Sequence, residues 1–275
     1  MSISVHTNST ALIALQNLNS TRDQLSDVQN KISTGLAIGS AKDNASVWSI
    51  AQGQRADLGG LAAVKMSLDR ATSIADVAMT AGQSISDLLI QLKEKVVAAQ
   101  DPSLDPNSRK ALDSDYKSIL RQITQVATNA SFNGADMLDG STATIQFIAN
   151  ANATGHITLS AQNMSLGGAI ITIPSTSSIT TVALAATALT NLQTSIANVN
   201  QALGDMGAQA RQIEAHNKFV SKLSDTLTTG VGNLVDADLA KESARLQALQ
   251  VQQQLGTQAL SIANQAPQVI LSLFR

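Results

Sequence analysis

Downstream of Asn44, two rows of aliphatic and small residues each repeat every seven positions. One row contains Leu61, Leu68, Ala75, Gly82, Leu89 and Val96, and the other contains Val64, Ala71, Ala78, Ile85, Leu92 and Ala99. A repeat of seven that is kept over this length is typical of a helix that supercoils around partner helices. Small residues in the middle of both rows let a partner come close. The sequence therefore predicts a long bundle helix.

Both ends of the chain carry a shorter form of the same repeat. A helix with one narrow apolar stripe is only marginally stable alone, because packing of the stripe supplies most helical stability. We therefore expect the termini to pair as an α-helical coiled coil. Gln253 falls where the C-terminal row should continue, and we expect it to be exposed; the alternative is a buried glutamine that bonds across an interface and fixes its register. The expected interface contains Leu18, Leu25, Ile32, Leu239, Leu246, Leu260 and Ile270.

Punctuating residues predict where the helices begin and end. The first helix is expected from about Ser4 to the cap at Thr34-Gly35, and another begins at Asp105-Pro106 with an N-cap followed by proline. A last bundle helix begins near Ala183 and is expected to end at a joint around Gly230-Val231-Gly232. The helices account for most of the chain, so the predicted fold is mainly α, a long helical bundle.

A change of period marks an insert between the bundle helices. Residues 144–148 and 156–160 largely alternate apolar and polar residues around a short Asn- and Gly-containing turn, which predicts a β-hairpin. Residues 166–181 are either a further strand pair or a loop. The expected division of the chain is an inner domain from 1–42 and 234–275, an outer bundle domain from 43–130 and 184–233, and a β-hairpin insert at 131–183.

Composition and charge exclude several kinds of function. The net charge is −2 and no run of Lys or Arg could follow a phosphate backbone, so no nucleic-acid partner is expected. No stretch approaches the roughly 20 apolar residues that span a bilayer, so no membrane partner is expected. The sequence shows no cleaved secretory signal, so a secreted form would use another route.

The polar residues do not predict a chemical site. The chain has no cysteine, and its three histidines lie in different predicted elements. We therefore expect no metal, no cofactor and no catalytic residue. The acidic group Asp236, Asp238 and Glu242 lies where a helix should begin, where negative charge caps the helix and favours its dipole. A structural role is therefore preferred for these carboxylates.

Several segments together resemble bacterial flagellins. They are residues 7–19, 29–36 and 40–45 near the N-terminus, 131–134, 137–140 and 207–209 in the middle, and 236–238, 263–265 and 271–275 near the C-terminus. The resemblance covers both halves of the chain and is weakest at roughly 141–185, where larger members of the family carry outer domains. It suggests a minimal flagellin reduced to the inner core.

The resemblance implies a function as well as a fold. Flagellins leave the cell unfolded through the flagellar type III apparatus and polymerise into the extracellular filament used for swimming. The implied partners are copies of the same chain, the export machinery, the filament cap and the hook-junction proteins. An adaptor at the hook–filament junction is the alternative, since such adaptors have similar termini. A secreted enzyme is disfavoured because no polar residues converge on a site.

One segment departs from the family pattern. The vertebrate Toll-like receptor that senses flagellins reads a helix written roughly Gln-Arg-Ile-Arg-Glu-Leu-Ala, and residues 90–96 occupy that place here. Gln91 stands where the family has its first Arg, Glu94 is kept, and Lys95 stands where an apolar residue belongs. Arg and apolar anchors often dominate interfaces. We therefore expect weak activation of the receptor.

Overall fold

The computed structural model describes residues 8–272, and their side chains as far as residue 265. Helices dominate the described chain, and a small antiparallel β-hairpin lies between the third and fourth of them, which confirms the predicted fold class. The elements in chain order are α1 (Ser9–Thr34), α2 (Ala45–Ala99), α3 (Pro106–Asn129), β1 (Ser131–Phe132), β2 (Ala135–Asp136), β3 (Thr144–Ile148), β4 (His156–Ser160), α4 (Val182–Val235) and α5 (Leu239–Ser272).

The helix ends follow local sequence. Gly35 adopts the left-handed conformation with φ 73° and donates its N–H to the Lys31 carbonyl, as the predicted cap requires. Asp105 caps α3 and Pro106 is its first residue, also as predicted. The expected start of α1 near Ser4 lies outside the described residues, and the described helix begins at Ser9 with Asn8 as its N-cap.

Contacts divide the chain into two compact units. Among the described residues, 8–56 and 226–272 form what we call the terminal unit, and 57–225 form the bundle unit. In the bundle unit, every member of the two rows of α2 that repeat at seven residues, from Leu61 to Ala99, is buried. Gly82 lies in the middle of one row, and a Cβ there would come within 2.8 Å of Leu203 Cδ2 on α4. The small residues thus allow the close packing that the pattern indicates.

The bundle unit also contains two hairpins. Strands β3 and β4 pair antiparallel with Phe147 opposite Ile157, as predicted. Strands β1 and β2 form a second, shorter hairpin around Asn133 and Gly134, whose φ angles are 51° and 77°. The predictions did not include this hairpin, although an Asn-Gly pair with positive φ is the usual signal of a tight β-turn.

The segment between β4 and α4 is mainly a loop. One isolated bridge joins Leu166 and Ile171, and no strand of more than one residue forms in 166–181. The buried carboxylate of Asp113 on α3 accepts hydrogen bonds from the Ile179 N–H and the Ser178 hydroxyl, both at 2.8 Å. Side chains of the helices therefore fix the course of this loop.

The prediction that the last bundle helix ends at a joint around Gly230–Gly232 is wrong. Helix α4 continues through both glycines to Val235, and the break before α5 lies at residues 236–238. Asp238 then caps α5, since its Oδ1 accepts from the N–H groups of Ala240 and Lys241 at 3.0 and 3.1 Å. The structural role expected for this carboxylate is confirmed.

Candidate assembly interface

Helices α1 and α5 pack against each other in the terminal unit. Asn8 at the start of α1 meets Ala263 near the end of α5, whereas Leu36, just after α1, pairs with Asp236, just before α5. The two helices are therefore antiparallel. The covered positions of α1 follow each other at spacings of three and four, and they are Ala11, Ala14, Leu18, Thr21, Leu25, Val28 and Ile32.

The facing stripe of α5 has the same spacing. Its covered positions are Glu242, Leu246, Leu249, Gln253, Gly256, Leu260 and Ala263. The most deeply buried residues of the two stripes are Leu18, Val28 and Leu249, whose exposed fractions are 3%, 2% and 4%. Gly256 lets α1 approach closely, because a Cβ there would lie 3.3 Å from Leu18 Cδ1. Gln253 is half-buried rather than exposed, so the prediction for its side chain is wrong.

Most of the residues predicted for this interface lie on the covered faces. Leu18 is buried, and the half-buried ones are Leu25, Ile32, Leu246 and Leu260. Leu239, at the first position of α5, is 50% exposed. The side chain of Ile270 lies outside the described residues. The structure thus brings residues from both ends of the chain together along one seam.

Outside the seam, the same two helices expose large apolar side chains. On α1 these are Leu12, Ile13 and Leu15, at 58%, 58% and 42% exposure. On α5 they are Leu239, Val251, Leu255 and Ile262, at 50%, 54%, 58% and 69% exposure. Single exposed apolar residues are normal on a protein surface, whereas apolar residues that cluster mark interaction sites, and the spacing of Val251, Leu255 and Ile262 puts all three on one side of α5. We call these seven residues the outer apolar face.

Hydrogen bonds join the two links that lead into the helix pair. The Val235 carbonyl accepts from the N–H groups of Ala37 and Ile38 at 2.7 and 3.2 Å, and Ala237 donates to the Gly35 carbonyl at 2.9 Å. These bonds form a short antiparallel ladder between segments that are about two hundred residues apart in sequence.

The N-terminal link also has an internal anchor. The Asp43 carboxylate accepts from the Ser40 N–H, the Ser40 hydroxyl and the Gly39 N–H at 2.9 to 3.1 Å. These bonds, with those of Ser40 first, hold the pKa of Asp43 below its ordinary value. The link between α1 and α2 is therefore a defined turn.

The departing segment, which is residues 90–96 of α2 where the sequence departs from the family pattern, lies in the bundle unit. Gln91 and Glu94 are exposed, whereas Lys95 is half-buried and its Nζ lies 2.8 Å from Asp115 Oδ2 on α3. The ammonium group of Lys95 is thus directed toward α3. Gln91 and Glu94 stay accessible on the surface of the bundle.

The described residues form neither a metal site nor a membrane-spanning helix. Within residues 8–265 no group of three or more His, Asp or Glu side chains could hold a metal ion. Over the described helices, none is long and apolar enough to cross a membrane. The paired terminal helices remain the feature that most clearly requires a partner.

Asn8 is a further residue of this site, and the apolar repeat of the sequence does not identify it. Its amide contacts both terminal helices, since Oδ1 accepts from the Ala11 N–H at 3.1 Å and Nδ2 donates to the Ala263 carbonyl at 2.7 Å. The signal that could have found it is Pro267, because a proline inside a helix leaves the carbonyl four residues earlier without its donor.

Comparisons with known proteins agree with these features. The profile of the bacterial flagellin N-terminal helical region matches residues 5–143, and that of the bacterial flagellin C-terminal helical region matches residues 189–274. The chain is 54% identical to flagellin FljJ of Caulobacter vibrioides, covering 100% of this chain and 99% of that protein. It is 40% identical to a flagellin of Brucella melitensis, covering 99% of both.

Solved structures show the same fold at lower identity. A Bacillus cereus flagellin aligns with a TM-score of 0.50 at 21% identity, covering 56% of this chain and 88% of that one. A putative flagellar hook-associated protein from Vibrio parahaemolyticus aligns with a TM-score of 0.56 at 13% identity, covering 70% of this chain and 100% of that one. Flagellins are structural proteins, not enzymes, and their copies form the extracellular flagellar filament. With profile matches in both halves and full-length identity of this extent, the chain belongs to the bacterial flagellin family.

Proposed function

We propose that this flagellin polymerises through its paired terminal helices, and that the outer apolar face is the surface on which neighbouring copies pack. The observation that supports this most directly is the exposure of large apolar side chains on both helices of one pair. Burying a fully exposed Leu, Ile or Val stabilises by roughly 1.5–3 kcal/mol. The seven residues of the face are about half exposed, so each offers part of that amount to a neighbouring copy.

The seam inside the pair explains why the helices also need each other. It is narrow and contains several small or polar residues, among them Thr21, Gln253 and Gly256. Such a seam buries little apolar area, so each helix is marginally stable without neighbours. Packing of further copies would offset the conformational entropy that is lost when the two ends become ordered.

We also propose the partners that the family implies for a filament subunit. These are the flagellar type III export apparatus, the filament cap and the hook-junction proteins. Marginal stability of the terminal helices supports passage in an unfolded form, because a segment that orders only on docking can be threaded before assembly. We also propose that the chain is divided as predicted, into an inner domain formed by both termini, a bundle domain and a hairpin insert.

The test replaces exposed apolar residues without touching the seam. We expect the double variant Leu255→Ser and Ile262→Ser to keep the fold of the bundle unit and to fail to elongate filament seeds. Gln258→Ser is the matched control, since it changes an exposed polar residue on the same helix. Elongation by the double variant at the rate of the unsubstituted chain, measured by electron microscopy, would contradict the proposal. A chain that adds to the seed only once would instead support the junction adaptor.

We further propose that this flagellin activates the vertebrate flagellin receptor poorly. The support is local: Gln91 lacks the guanidinium fork of arginine, and the Lys95 ammonium is paired with Asp115 in a place where the family has an apolar residue. A lysine there cannot supply the apolar contact that such interfaces favour.

A further inference from the structure

Pro267 leaves one carbonyl of α5 without its helical donor. The helix runs from Leu239 to Ser272, so Pro267 lies inside it. In an α-helix each N–H donates to the carbonyl four residues earlier, and proline has no N–H to donate. The carbonyl concerned is that of Ala263.

The missing donor comes from the other end of the chain. Asn8 Nδ2 donates to the Ala263 carbonyl at 2.7 Å. Ala263 is half-buried against α1, so solvent has restricted access to this carbonyl. A carbonyl in such a place needs a protein partner, and the amide of Asn8 provides one.

The same amide also begins α1. Asn8 Oδ1 accepts from the Ala11 N–H at 3.1 Å and from the Thr10 hydroxyl at 2.7 Å, and Asn8 has the extended backbone of an N-cap. The orientation of the amide follows from its partners. A backbone N–H can only donate and a carbonyl can only accept, so Oδ1 must face Ala11 and Nδ2 must face Ala263.

We propose that Asn8 is a latch that completes both helices at once, so that the first turn of α1 and the part of α5 around Pro267 become ordered together. The proline makes α5 depend on α1, because α5 alone has no donor for the Ala263 carbonyl. Asparagine is required in this role. Aspartate would cap α1 but could not donate to a carbonyl, and serine would cap α1 with a shorter side chain.

This inference deepens the proposed function, because it names the contact that couples the two ends during assembly. Its test is a double-mutant cycle in the full chain. Asn8→Asp keeps the cap and removes the donor, whereas Pro267→Ala restores an N–H to α5 and makes the donor unnecessary. Amide hydrogen exchange of residues 258–264 is measured for the four chains in filaments, where the proposed function has the terminal helices ordered.

We expect Asn8→Asp to speed exchange of residues 258–264 by about tenfold when Pro267 is present, the usual effect of one lost hydrogen bond. In the Pro267→Ala background the same substitution should change exchange by less than twofold. Asn17→Asp is the matched control for charge, because Asn17 is exposed on α1. Exchange across residues 57–225 reports that each variant is folded.

Three outcomes would overturn the latch. They are an unchanged exchange rate in Asn8→Asp, an equal change in both backgrounds, and an equal change in Asn17→Asp. These outcomes differ from failure of the proposed function, which would show as an unsubstituted chain that does not elongate seeds. A filament that forms normally while the cycle shows no coupling would contradict the latch alone.

Discussion

Gly60 of α2 faces Ala151 in the β3–β4 turn so closely that a Cβ at Gly60 would lie 2.7 Å from the Ala151 carbonyl oxygen. The turn has little freedom to retreat. Asn150 Oδ1 accepts from the N–H groups of Thr154 and Gly155 at 2.9 and 3.0 Å, and His216 Nε2 donates to the Ala149 carbonyl at 2.7 Å. The hairpin therefore docks on α2 through backbone contact at a glycine.

Substitution of the two adjacent glycines of α2 should have opposite effects. We expect Gly60→Ala to lower the free energy of unfolding by about 1–3 kcal/mol, because the new methyl group meets backbone atoms. Gly59 has open space around it, so Gly59→Ala should raise that energy by about 0.5–1 kcal/mol through helix propensity alone. Urea unfolding measures both, and a stabilised Gly60→Ala would contradict the docked turn.

Asp113 should make the bundle unit sensitive to acid. Burial raises the pKa of Asp113, but hydrogen bonds from Lys117, the Ile179 N–H and Ser178 outweigh it and hold the pKa below its ordinary value of 3.8. A lowered folded pKa means that the stabilisation is present above 3.8 and is lost as pH falls through the folded pKa. We expect Asp113→Asn to reduce this loss, measured by urea unfolding at a series of pH values.

The control for Asp113→Asn in this experiment is the substitution of a neighbouring aspartate, Asp115→Asn. Its side chain is 59% exposed and pairs with Lys95 on the surface, where ion pairs contribute about 0–1 kcal/mol. We expect it to leave the acid dependence nearly unchanged. An equal effect of both substitutions would show that general charge repulsion, and not the loop anchor, sets the acid sensitivity.

Leu249 should contribute more to the terminal unit than its exposed neighbour Val251. Leu249→Ala removes a buried side chain from the seam, at a cost of about 2–5 kcal/mol. Val251 is 54% exposed, and Val251→Ala should change the stability of the unpolymerised chain by less than about 0.5 kcal/mol. Hydrogen exchange of α1 amides measures the difference, and equal protection in the two variants would contradict the assignment of the seam.

Receptor activation should increase when the departing segment is restored. We expect the double variant Gln91→Arg and Lys95→Leu to activate a reporter cell line more strongly than the unsubstituted chain, by at least about tenfold for one recovered anchor. Loss of the Lys95–Asp115 pair should cost little, since both groups are at the surface. Gln83→Arg, an exposed substitution on the same helix, is the control. Full activity of the unsubstituted chain would contradict the prediction.

Regular helices could be predicted from sequence because their period is repeated many times. The two rows of α2 remain in phase from Leu61 to Ala99, and every member is buried. The predicted end of α4 failed for a physical reason. A glycine inside a helix costs only about 1 kcal/mol relative to alanine, and burial of Val231 and Val235, at 7% and 2% exposure, outweighs it.

Features held by distant polar contacts could not be predicted in this way. The local β1–β2 hairpin is a different case, since strands of two residues are too short to show an alternating pattern and only the Asn133-Gly134 turn could have indicated it. The loop after β4 depends on Asp113, and Thr172 of that loop donates its N–H to the Ser195 hydroxyl of α4 at 3.0 Å. At the interface, the stripe predicted the seam, but the bond between Asn8 and Ala263 joins residues separated by 255 positions.

That separation sets a delay between making α1 and making its partner. Ribosomes add about 5–20 residues per second, so the 255 positions between Asn8 and Ala263 take roughly 13–50 s to synthesise. From the synthesis of Ile32 until that of Glu242, the complete apolar stripe of α1 exists without any part of the stripe of α5. The helix pair can close only after nearly the whole chain has been made, so the timing of translation itself keeps the leading segment from completing its seam early.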